Sequence, residues 1–137
     1  MYVNNKRELV KLLLLLTFFF VVGCEKGPQL GTVTGTVTYE GKPLNQATVY
    51  FTHESGRAAY ARTDESGHYE LQFSDGRSGA LLGNNAVSIE TFRIGADDTG
   101  KMVEFPEILP EKYNKASEMT RSIEAGDQVI DFELTKD

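Results

Sequence analysis

Residues 30–51 read LGTVTGTVTYEGKPLNQATVYF. From Thr32 to Tyr39, the apolar residues Val33, Val37 and Tyr39 fall on one side of a period-two alternation, and Thr32, Thr34, Thr36 and Thr38 on the other. Successive side chains of a strand face opposite sides of its sheet, so the segment predicts a strand with one apolar and one wet face. Gly35 interrupts the apolar side, where a glycine marks a bulge or the close approach of another backbone. Glu40-Gly41-Lys42-Pro43 is a turn signal, and Ala47, Val49 and Phe51 then alternate with Thr48, Tyr50 and Thr52 in a second strand.

The same grammar continues towards the C-terminus. A Ser55-Gly56 turn leads to a strand at Ala59–Thr63, and Asp64-Glu65-Ser66-Gly67 is a tight turn feeding HYELQF, with Tyr69, Leu71 and Phe73 inward. A glycine-rich stretch, 75–85, precedes AVSIETFRI, in which Val87 and Ile89 share a face. Two last strands are expected near Met119–Ile123 and Val129–Leu134, joined by Ala125-Gly126-Asp127, with Ile130, Phe132 and Leu134 inward. Seven short strands and no amphipathic helix predict an all-β domain, a seven-stranded antiparallel β-sandwich with inner faces about 10 Å apart. The exception is 95–118, which holds Asp97-Asp98, Gly100, Pro106 and Pro110 and reads as one long loop. Such a loop is either a strap, anchored here by Phe105, Ile108, Leu109 and Tyr113, or a binding loop.

Composition sets the outer bounds. The chain has 137 residues, 40% hydrophobic, enough for one core and too few for two sizeable domains. A single cysteine excludes an internal disulfide framework. Fourteen basic against 20 acidic residues give a net charge of −6, which argues against a nucleic-acid surface.

The N-terminus has a different character. Lys6, Arg7 and Lys11 precede an apolar run, Leu12–Val22, broken only by Thr17. A membrane-spanning helix needs about 20 apolar residues, so the run has the proportions of a signal-peptide core. It closes on Val21-Val22-Gly23-Cys24, which resembles the bacterial lipobox, where signal peptidase II cuts before a diacylglyceryl-modified cysteine. The resemblance implies that Val21, Val22 and Gly23 are the peptidase recognition residues and Cys24 the lipidation site. Two or more acyl chains anchor a protein stably where one does not. Cleavage would take three basic residues and one acidic residue, leaving a net charge of −8. The expected organisation is a cleaved signal helix at 1–23, a lipidated tether at 24–31 and the β domain at 32–137.

The strand and turn motifs also resemble a family. GTVTGTVTYEGKPLNQATVYF and TDESGHYEL are similar to the opening strands and the Thr-Asp-x-x-Gly-x-Tyr turn of carboxypeptidase regulatory-like, or transthyretin-like, domains. GALLGNNAVSIET and LPEKYNKASEMTRSIEAGDQVIDFEL resemble later parts of small planctomycete lipoproteins. The resemblance implies a prealbumin-like, Ig-like sandwich used as an accessory or adhesive module. Hydroxyisourate hydrolases share that fold but carry a terminal Tyr-Arg-Gly-Ser, whereas this sequence closes on DFELTKD.

No residue pattern points to catalysis. His53 and His68, the two imidazoles, open no metal-ligand spacing, so neither metal nor cofactor is expected. Asp64, Ser66 and His68 are the letters of a triad compressed onto one turn, and read as turn chemistry. Asp97-Asp98-Thr99-Gly100 lacks the spacing of a calcium loop and reads as a solvated acidic loop. A binding surface, if present, is expected on Thr34, Thr36 and Tyr50 of the wet sheet face or on Phe105 and Tyr113 of the long loop. The expectation is a membrane-anchored envelope lipoprotein, its domain periplasmic or extracellular, acting as a non-catalytic structural or protein-interaction module. A polysaccharide or cell-wall glycan binder is the alternative, and a hydroxyisourate-type hydrolase a remote one.

Overall fold

The computed structural model describes residues 27–137; the expected signal segment, the expected recognition residues Val21, Val22 and Gly23, and Cys24 lie outside them. The described chain is all-β, with no α-helix and one 3₁₀ turn at Glu111–Tyr113. β1 (Leu30–Tyr39) begins two residues before the boundary expected at Thr32 and organises one sheet. It pairs antiparallel with β2 (Lys42–Pro43), β5 (His68–Glu70) and β7 (Ala80–Leu81). On its other edge it pairs in parallel with β12 (Gly126–Val129) and β13 (Phe132–Leu134). The second sheet has the order β11-β8-β3-β4-β6, from Thr120–Ile123, Gly83–Glu90, Thr48–His53, Ala58–Arg62 and Gln72–Phe73. A separate hairpin joins β9 (Arg93–Ala96) to β10 (Met102–Phe105).

Thirteen short strands therefore stand where seven were expected, and the pairing is not wholly antiparallel. Each expected strand is present, but three of them are divided: AVSIETFRI breaks at Thr91-Phe92, where the chain leaves β8 for the β9–β10 hairpin. HYELQF splits at Leu71, because β5 pairs with β1 while β6 crosses to pair with β4. The last strand splits at Ile130-Asp131, where the backbone amide of Thr36 donates to Asp131 Oδ1 (2.8 Å). The Ile130 carbonyl is turned instead towards β1 and accepts the Tyr69 hydroxyl at 2.5 Å. Gly35 makes that possible, since a Cβ there would collide with the Ile130 carbonyl. The glycine on the apolar side thus marks a close backbone approach.

Alternation dictates the core. Val33, Val37, Tyr69, Ala80, Phe132 and Leu134 from the first sheet, and Val49, Phe51, Ala59, Ala61, Phe73, Val87, Ile89 and Ile123 from the second, form one buried cluster. Phe132 bridges the two, edge-on to Phe51 (6.2 Å between centroids) and beside Tyr69 (6.3 Å). Burial first, and the Asp131 charge second, push the Tyr69 phenol up, so it stays a protonated donor. Buried Thr63 accepts from the Ala47 amide (2.9 Å) and donates to the Leu44 carbonyl (2.5 Å), closing the polar groups of the turn into β3.

Candidate functional site

β1 runs the length of the domain, ten residues or about 30 Å. At its start, the Gln29 carbonyl accepts from the Leu82 amide (3.4 Å) and the Pro28 carbonyl from Arg77 Nη1 (3.1 Å). At its far end, the Val37 carbonyl accepts from the Leu44 amide (3.0 Å) and Thr48 lies opposite Glu90. The β9–β10 hairpin leaves the second sheet just after Glu90, and its base shares a groove of about 300 Å³ with Asn45, Gln46, Thr91, Pro106 and Ile108. The hairpin and the incoming chain therefore occupy opposite ends of the domain.

One carboxylate holds the hairpin base. Glu107 accepts from the Thr91 amide (2.8 Å), the Thr91 hydroxyl (2.6 Å), the Leu109 amide (2.9 Å) and the Phe92 amide (3.3 Å). Thr91 Oγ1 in turn accepts from the Ile108 amide (2.9 Å). Burial raises the Glu107 pKa, but the bonds from Thr91, Leu109 and Phe92 outweigh it, and the carboxyl sits below its ordinary value. Five polar groups at the two ends of the hairpin are satisfied at once.

The hairpin turns two large apolar side chains to solvent, beside one carboxylate. In its register Met102 faces Ala96 and Glu104 faces Ile94, so these four share one face. Ile94 and Met102 are 62% and 63% exposed, and Phe92 and Ile108 at the base are also exposed. On the other face Arg93 lies over the Phe105 ring, 3.4 Å from its centroid. The tip is a polar turn: Asp97 Oδ1 accepts from the Thr99 amide (2.8 Å), the Thr99 hydroxyl (2.6 Å) and the Lys101 amide (3.1 Å). Asp64 makes the same three bonds to Ser66 and His68. In both turns the hydroxyl bond leads the group that holds the carboxyl below its usual range. In the Asp64 turn His68 bonds through its backbone amide, so the three triad letters act as turn chemistry.

The expected loop 95–118 is two things. Its first part completes the hairpin, and its second is a strap: Leu109 is buried, and Tyr113 packs on the core while its hydroxyl accepts from the Thr135 amide (3.0 Å). Phe105 is half-buried under Arg93. Thr34 and Thr36 lie half-buried on β1, in the first sheet, whereas Tyr50 lies on β3, in the second. The expected Thr/Tyr face is thus not one surface, because the two strands belong to different sheets. Tyr50 instead pairs with exposed Tyr60 (6.3 Å between centroids), beside a groove lined by Arg62, Asp64, His68, Glu70 and Gln72. Sequence reasoning missed the exposed face that Ile94 and Met102 share; the alternation over 93–96 and 102–105 was its only signal, and four residues per strand are few.

Among the described residues no group of His, Cys, Asp and Glu is placed to hold a metal ion, and no helix is long and apolar enough to cross a membrane. His53 Nδ1 is engaged by the Ser55 side chain and amide (2.9 and 3.1 Å).

No family model matches the chain, and no curated protein matches it. Among solved structures, it is similar to a DUF3823 family protein from Parabacteroides merdae ATCC 43184, at 15% identity and a TM-score of 0.42 over 79% of this chain and 47% of that one. It is also similar to a 9R-lipoxygenase from Cyanothece PCC8801, at 18% identity and a TM-score of 0.38 over 78% of this chain and 16% of that one. The chain spans under half the length of either.

Proposed function

We propose that this chain is a membrane-anchored envelope lipoprotein whose β domain, a two-sheet sandwich of the carboxypeptidase regulatory-like or transthyretin-like kind, is a non-catalytic protein-interaction module. The observation that carries the reading is the separation of two ends. The chain enters at Leu30, six residues beyond Cys24, and the hairpin with its exposed Ile94 and Met102 leaves the opposite end, about 30 Å away along β1. A lipid on Cys24 would hold the entry end at the bilayer and present Ile94 and Met102 away from it. Contiguous exposed apolar residues on a soluble domain are the usual mark of an interaction site.

The anchoring is tested with Cys24→Ala in the full chain, by membrane fractionation and the mass of the mature N-terminus. The variant is expected in the soluble fraction with an unprocessed or unlipidated N-terminus. Membrane retention with unchanged N-terminal mass would overturn the anchor.

A cell-wall glycan is the second reading, supported by the pair of half-buried Tyr50 and exposed Tyr60 beside the polar groove of Arg62, Asp64, His68, Glu70 and Gln72. Aromatic rings flanked by planar polar groups suit sugar faces and hydroxyls. Loss of retention on wall polysaccharide in Tyr60→Ala supports it; equal retention of variant and parent removes that surface.

A further inference from the structure

Among the described residues β9 pairs only with β10, so its other edge offers unsatisfied backbone donors and acceptors. Proteins usually blunt such an edge by keeping it short, with charged residues or proline, or by covering it. β9, Arg93-Ile94-Gly95-Ala96, is short but has no proline or lysine, its one charge is folded over the Phe105 ring, and a two-stranded ribbon is marginal by itself. We propose that this edge pairs with the same edge of a second copy of the chain, making a four-stranded intermolecular sheet. This deepens the interaction-module reading, on which it rests, by naming the partner.

The argument is one of register. Two identical strands side by side and antiparallel are related by a two-fold axis perpendicular to the sheet. That axis keeps each residue on its own face, so paired residues must be both odd or both even in number. Placing the axis at Gly95 sets Gly95 against Gly95, where no side chain obstructs the approach. Arg93 then faces Asp97 of the second copy, and Asp97 faces its Arg93, giving two reciprocal ion pairs. The Asp97 bonds within its own turn all use Oδ1, which leaves Oδ2 for the incoming guanidinium. On the other face Ile94 lies opposite Ala96 of the second copy and diagonal to its Ile94. Met102, beside Ala96 in its own hairpin, extends the same apolar row. The register thus satisfies the free edge, pairs the charges on one face and joins the apolar residues of both copies into one row on the other.

The test places a benzophenone-bearing amino acid at exposed position Ile94, and separately at Ala96, in the full chain produced in a bacterial host. Irradiation is expected to give an adduct of twice the chain mass whose linkage maps to residues 92–98 of the second copy. Asp97→Asn, which retains the Oδ1 acceptor of the turn, is expected to lower the yield roughly threefold or more, the effect of losing two exposed ion pairs. Absence of that adduct from both positions, or a self-adduct mapped to another surface, overturns the pairing. An adduct with a different protein also overturns it, yet leaves the interaction-module reading standing.

Discussion

At the scale of single residues, the fold turns on places where one side chain decides whether a backbone group is satisfied. Gly35 and Tyr69 act as a pair: the first leaves room for the Ile130 carbonyl, and the second donates to it. Tyr69→Phe keeps the ring beside Phe132 but leaves that part-buried carbonyl without its donor. A buried acceptor left without its donor costs about 1–3 kcal/mol, a loss to be read from the denaturant midpoint at unchanged slope. Gly35→Ala should cost more than an exposed Gly→Ala change, because its Cβ meets backbone and nothing flexible can move aside. Equal stability of Gly35→Ala and the parent would show that β12–β13 shifts away freely.

At the scale of elements, the hairpin β9–β10 depends on Glu107. Its folded pKa lies below the unfolded value of about 4.3, so its contribution is fully present above that value and is lost as the pH falls through the folded one. Amide exchange at residues 92–105 is therefore expected to quicken below about pH 4.3, before global unfolding. Glu107→Gln, which has one acceptor oxygen in place of two, should show the quickened exchange already at neutral pH. Exchange that is uniform over both sheets and hairpin in that variant would mean the hairpin is held by something else. The division of the expected loop into hairpin and strap belongs to this scale as well. Leu109 and Tyr113 were legible as anchors from their type, whereas Ile108, expected beside them, is 56% exposed, and Phe105 lies in the hairpin under Arg93. Which of them faced solvent depended on the register of β9 against β10, a pairing across a five-residue turn that four-residue strands signal weakly.

At the scale of the whole molecule, the two sheets share one core, and Phe132 joins them through Phe51 and Tyr69. Phe132→Ala is expected to destabilise the domain by about 3–5 kcal/mol, with both sheets melting in one transition. Separate transitions, followed by near-ultraviolet signals of Tyr69 and Tyr50, would show that the sheets stand independently.

What the order of residues determined alone was which side chains point inward. Val33, Val37, Val49, Phe51, Tyr69, Leu71, Phe73, Val87, Ile89, Phe132 and Leu134 were placed by alternation and are buried, while Tyr39 and Ile130, placed on the same faces, are half-buried at the edge of the core. Period two is a local property, written into each strand whatever it pairs with. Turns at Asp64 and Gly67 were legible for the same reason, since an aspartate bonds backbone two and four residues on. Tertiary structure alone decided partnership: that β12 and β13 run parallel to β1, that Leu71 marks a change of sheet, and that Thr34 and Tyr50 lie in different sheets. Each of these joins strands separated by long stretches of chain or by a single switching residue. They are selected by the fit of the entire core, a quantity no local pattern carries.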